Sequence, residues 1–168
     1  MALQFTMGLK PILLKIISVD GIAVSPAETL TSIGQVNEGS TQVVQAAPNE
    51  TVYKGDYDDV ALHIRNELGD FTLETDIIEV TSAIVKRLTR GTFDAGTGVL
   101  SLPKSAPVII AEIEIPFDEG MEKVHFHEAI ISATFNGQNI KTEMCKLHLK
   151  ATALVSDDGD YVDIVYPV

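Results

Sequence analysis

Tryptophan is absent from this chain of 168 residues, cysteine occurs once, and lysine and arginine together number only 12 against 24 acidic residues. Each shortage excludes something. The lone Cys145 cannot form an internal disulfide, so the chain is no disulfide-stapled secreted scaffold. With four tyrosines and six phenylalanines, an aromatic sugar platform or a base-stacking surface has little to build on. A formal net charge of −12 argues against duplex binding, which needs clustered Lys and Arg to neutralise phosphates. The acidity reads as solubility, or as a surface that DNA must pass without sticking. Glycines match neither phosphate-binding fingerprint. No long apolar run exists either. Lys10, Pro11 and Lys15 interrupt the N-terminal hydrophobics, so neither a signal peptide nor a membrane span is expected, and the protein is expected inside the cell.

What is present is period-2 alternation. Ile12, Leu14 and Ile16 alternate with Leu13, Lys15 and Ile17, a pattern for a strand covered on both faces, ending at the turn signal Asp20-Gly21. Leu62 and Ile64 alternate with His63 and Arg65, and Phe71 and Leu73 with Thr72 and Glu74. Ile109, Ala111, Ile113, Ile115 and Phe117 form one face of a further strand, opposed by Val108, Ile110, Glu112 and Glu114, with Pro116 ending it or holding it to an edge. Asn136-Gly137 predicts a tight hairpin turn. Folding there sets Phe126 opposite Leu147, Val124 opposite Leu149, His127 opposite Lys146 and His125 opposite His148. Nearer the turn the apolar phase inverts through Ile131, Ala133, Ile140 and Met144, which a bulge, a twisted tip or packing on a neighbour explains.

One segment has a helical period. Ile77, Val80, Ile84 and Leu88 recur at spacings of three and four, Asp76 and Glu79 suggest a capping box, and Lys86, Arg87 and Arg90 suit the dipole's negative end before Gly91. A helix of about three turns among many strands indicates a mainly β fold: a β-sandwich or barrel-like sheet with one flanking helix. Residues 1–168 read as a single domain, carrying a long polar loop or hairpin excursion at about 30–59 and a second irregular stretch at 92–107.

Candidate chemistry is sparse. His125, His127 and His148 could share a strand face and hold zinc or nickel, although Lys146 and Lys150 beside them disfavour a cation and a solvated polar face is the reading adopted. Cys145 falls in phase with Leu147 and is expected as a buried thiol. Carboxylate pairs at Asp58-Asp59, Glu112 with Glu114, and Asp157-Asp158 lack a nameable shared cleft. Ser156 to Asp160 reads as a hairpin turn, since it lacks the closing Glu of a calcium loop. No catalytic, metal or cofactor site is expected, and no enzyme.

Three segments, in order, resemble the tail tube proteins of long-tailed bacteriophages and the related inner tubes of contractile injection systems. They are KPILLKIISVDG, then GDFTLETDIIEVTSAIVKRLTR from Gly69 to Arg90, then HFHEAIISATFNGQNIKTEMCKLHLKATAL from His125 to Leu154, followed by a closing strand. The resemblance implies a structural virion protein, assembled in the host cytoplasm into stacked rings, usually hexameric, whose sheets join as a channel for DNA. It implies self-association, and tape-measure, tail-terminator and baseplate or tip proteins as partners, with no specific DNA binding and no membrane. Glu112, Glu114, Lys146, His148 and Lys150 are the lumen-facing candidates, and Val43 and Val44 the inter-ring candidates. A β-sandwich ligand-binding or adhesion module, and a metal-dependent β-barrel enzyme, are the alternatives.

Overall fold

The computed structural model describes residues 3–4, 11–54, 61–67, 69–117, 122–136, 145–155, 159 and 161–167. Where the sequence alternates, it forms strands: β1 (Leu3–Gln4), β2 (Leu13–Val19), β3 (Ile22–Ala23), β4 (Thr31–Ser32), β5 (Gln42–Gln45), β6 (Asn49–Lys54), β7 (Ala61–Glu67) and β8 (Phe71–Ile77). Helix α1 (Ser82–Thr89) follows. The chain then returns to strands with β9 (Thr92–Asp94), β10 (Val99–Ser101), β11 (Ile109–Pro116), β12 (Lys123–Asn136), β13 (Lys146–Leu154) and β14 (Val162–Val165).

The principal sheet runs β1-β5-β8-β13-β12-β11-β2-β3, with β14 also on β12 and β4 also on β2, every pairing antiparallel. Val43 near one end of this order and Leu14 and Ile16 near the other join a single apolar cluster, so the sheet curls around one core. This is the mainly β, sandwich-like or barrel-like architecture that the alternation predicts. On β11 the alternation is complete: Ile109, Ala111, Ile113 and Ile115 are buried while the residues between them stay half-exposed. Pro116 takes its last position, past the final β2 pair at Glu114–Leu13, where the missing N–H breaks no ladder bond to that neighbour.

Asp20 and Gly21 turn β2 into β3 with φ of 50° and 78°, the two positive values a tight hairpin loop needs. Asn136 takes no part in a two-residue turn of this kind. Asn136 is still in β12, paired with Lys146, and Phe135 faces Leu147, Ala133 faces Leu149 and Ile131 faces Ala151. Residues 137–144, with Ile140 and Met144, are outside the described residues. The phase inversion on β12 is a bulge. Phe126 pairs Ile113 but Ala129 pairs Ala111, so one extra residue on β12 moves burial from Val124 and Phe126 to Ala129 and Ile131.

The helix is shorter than the periodicity predicts, and it starts later. Ile77 belongs to β8, and Thr81 is the N-cap, its Oγ1 accepting from Ile84 N at 3.3 Å, so Asp76 and Glu79 form no capping box. Val85 and Leu88 turn inward as α1 packs against β12. Arg90 itself takes the left-handed C-cap conformation, one residue before Gly91.

Much of the polar stretch at 30–59 is structured. Thr41 and Val43 are buried, and β5 pairs β8 within the main sheet. The strands β6 and β7 form their own two-stranded sheet. Gln45 faces Phe71 and Asn49 faces Glu67, so the two ladders keep one register across a short break. Gly69 sits at that break: a Cβ there would lie 1.9 Å from the Ala46 carbonyl oxygen, which only glycine avoids. The excursion is thus a two-stranded arm growing out of β5 and β8. A smaller hairpin, β9–β10, organises part of the stretch at 92–107.

Candidate functional site

The sheet face opposite the core carries charges paired across strands, on either side of an apolar strip where Ile110 faces Ile130. Lys150 meets Glu74 at 2.9 Å, and Asp76 is bracketed by His148 Nδ1 at 2.8 Å and Lys146 at 3.5 Å. Further along, Lys123 meets Glu114 at 2.9 Å, and Glu112 takes Lys15 on one oxygen and His125 Nε2 on the other, each at 3.0 Å. His127 Nε2 lies 2.9 Å from Asp163 Oδ2 on β14. Strand alternation produces this pattern, since every second residue of β2, β8, β11, β12 and β13 points away from the core.

Partial burial is the largest influence on Glu112 and pushes its carboxyl up, but hydrogen bonds from Lys15 and His125 together outweigh it and hold the group below the usual carboxylate range. Lys123 is raised, first by its hydrogen bond to Glu114, with burial opposing. Lys15, Lys123, Lys146 and Lys150 stand against Glu74, Asp76, Glu112, Glu114, Glu128 and Asp163, +4 against −6 among the described residues, so the face has only a small excess of negative charge. Most of the chain's net −12 therefore resides elsewhere.

Glu112, Glu114, Lys146, His148 and Lys150 do share this face. The sequence reading missed their countercharges Lys15, Lys123, Glu74 and Asp76. Lys15 and Lys123 were detectable as charges in polar phase on a strand. Asp76 was hidden by its assignment to the helix cap. The three histidines that could have shared a metal do not come together: His148 lies opposite Thr134 and Asp76, whereas His125 lies opposite Glu114 and Asp163. The register difference separates them. The structure instead brings His125, His127 and Asp163 together, with their ligand atoms within 4.8 Å of one another.

Val43 is a core residue pairing Leu73, and Val44 is half-buried opposite Thr72, so Val43 offers no surface to a neighbouring copy. Cys145 is half-buried rather than enclosed, since it precedes β13. Asp58-Asp59 and Asp157-Asp158 lie outside the described residues, as does most of the run from Ser156 to Asp160, in which Gly159 has φ of 87°. A shallow open groove beside the C-terminal end of α1 is lined by Ala83, Lys86, Arg87, Arg90 and Gly91, with no carboxylate, histidine or thiol among them. Among the described residues no helix is long and apolar enough to cross a membrane.

No protein-family model matches the chain, and no curated protein matches it.

Proposed function

We propose that the chain is the structural subunit of a phage-type tail tube, assembling into stacked rings around a channel that passes DNA. The observation that carries this reading is an antiparallel sheet that presents unpaired strand borders beside a wide, internally neutralised polar face. Residues 132–136 of β12 run past the end of β11, and β14 pairs with β12 alone among the described residues. Such borders are sites for strand addition by another copy, and closure into a ring satisfies them. Phe135, at the projecting end of β12, is 46% exposed and supplies apolar area for that contact.

The polar face suits a channel wall. Each of its lysines is held by a carboxylate, so a passing phosphate backbone finds no free cationic cluster to release its counterions onto. Neutralisation by pairing takes the place of the acidic lumen that net charge alone suggests. The β6–β7 arm is the element that reaches between rings, in place of the buried Val43. The tape-measure, terminator and baseplate or tip partners follow from the resemblance of the three segments.

Negative-stain microscopy across a concentration series tests the reading. Rings or hollow rods that increase with concentration are expected. A protein that remains monomeric at high concentration across salt conditions would sink it.

A further inference from the structure

We propose that His125, His127 and Asp163 form a binding site for a first-row divalent transition metal such as zinc or nickel, clamping β14 onto β12. The two histidines are separated by one residue on the polar face of β12, and their ring centroids are 4.5 Å apart. Pairing of β12 with β14 sets Asp163 directly opposite His125, and Asp163 Oδ2 already lies 2.9 Å from His127 Nε2. The three donor atoms lie within 4.8 Å of one another. Tetrahedral coordination at about 2.0–2.2 Å places donors roughly 3.4 Å apart, which small side-chain rotations reach from here.

The donor set selects the ion. Two imidazoles and one carboxylate suit zinc, nickel or copper, whereas calcium and magnesium demand mostly oxygen. Local charge favours a cation: Glu112, Glu114 and Asp163 surround the site against Lys15 and Lys123, and both lysines are already engaged by those glutamates. Glu112, hydrogen-bonded to His125 Nε2 at 3.0 Å and to Lys15, lies outside the three-donor group, which leaves the fourth position to water. Because the ligands come from β12 and from the C-terminal strand β14, the ion joins an outer strand to the middle of the sheet. This site is independent of ring assembly, and a monomer would carry it.

The test is isothermal titration of the untagged full chain, stripped with chelator, against zinc chloride and nickel chloride, alongside thermal melts at increasing zinc. The expected result is one ion per chain and a Tm that rises to saturation. His127→Asn and Asp163→Asn should each weaken binding about tenfold or more and remove the Tm rise. His148→Ala, on the same face but away from the cluster, should leave both unchanged. The variants change partly exposed side chains, and circular dichroism checks that they are folded. The proposal is overturned by titrations without stoichiometric binding, or by His148→Ala losing as much affinity as His127→Asn.

Discussion

Arg87, on the last turn of the helix, donates from Nη2 to the main-chain oxygen of Leu14 at 2.6 Å, so a helical side chain completes a strand's edge ladder. Glu28 holds the same guanidinium at 3.2 and 3.0 Å and also accepts from Ile16 N at 3.3 Å. Between the short partners β3 and β4, the outer border of β2 is thus closed by side chains of its own chain. A border so closed is unavailable for strand addition, so the proposed association would use β14 and the projecting end of β12.

Arg87→Ala should therefore cost more than a surface ion pair does. It removes the partner of the Leu14 carbonyl and frees Glu28, and a loss of about 1.5–3 kcal/mol is expected from a charge-assisted bond of this kind. Arg87→Lys should recover only part, because an ammonium cannot span both acceptors as a fork does. Urea unfolding of the three proteins measures the order. Equal midpoints for Arg87→Ala and the parent would refute the account.

Thr41 and Thr75 share a hydroxyl–hydroxyl hydrogen bond of 2.8 Å with both side chains buried. Removing one hydroxyl strands the other in the core, at a cost of about 1–3 kcal/mol, whereas removing both leaves nothing unsatisfied. Thr75→Val alone should destabilise more than the double Thr41→Val, Thr75→Val variant. A double-mutant cycle by denaturant unfolding reads the coupling directly. Strict additivity would mean that the bond contributes nothing.

These two devices mark the limit of what periodicity reveals. The alternation on β11, the Asp20-Gly21 turn and the presence of a helix were legible because each is a local property of its own residues. The hairpin register was not. Asn136-Gly137 has the local chemistry of a turn, but Asn136 continues the ladder with β13, and β13 is held from its other side by β8. Tertiary pairing overrode the dipeptide. His148 was misplaced by that same slip, and Asp163 escaped notice because nothing local links β14 to β12 across 36 residues. Likewise Ile77 satisfied a helical spacing while belonging to a strand, since i, i+3 and i+4 coincidences arise readily where strand and helix adjoin.

The pairing of Glu112 gives stability a defined pH dependence. Its folded-state pKa is depressed, so its contribution is present above the unfolded-state value of about 4.3 and is lost as pH falls through the folded value. Lys123 is raised, so its contribution is present below about 10.4 and is lost as pH rises through its folded value. Glu112→Gln should lower stability at pH 7 by no more than about 1 kcal/mol, because the group is partly solvated. The gap to the parent should narrow as pH falls. Urea midpoints from pH 3 to 7 provide the check, and a gap that stays constant with pH would contradict it.

Assembly gives the sharpest separation between a core residue and an association residue. Phe135 lies in the sheet's ladder opposite Leu147, yet it is 46% exposed where Leu147 is fully buried, because β12 has outrun β11 at that point. In the isolated chain its side chain is an apolar liability, and in the proposed ring of copies it would become a contact. Phe135→Glu should therefore abolish rings or rods while leaving the monomer's unfolding midpoint within about 0.5 kcal/mol of the parent. Val43→Ala should do the reverse, lowering the midpoint through a core cavity while folded protein still assembles. Microscopy and urea unfolding on the same samples distinguish the two. Assembly that survives Phe135→Glu would move the contact away from the projecting strand, and a large loss of monomer stability would show that Phe135 belongs to the core after all.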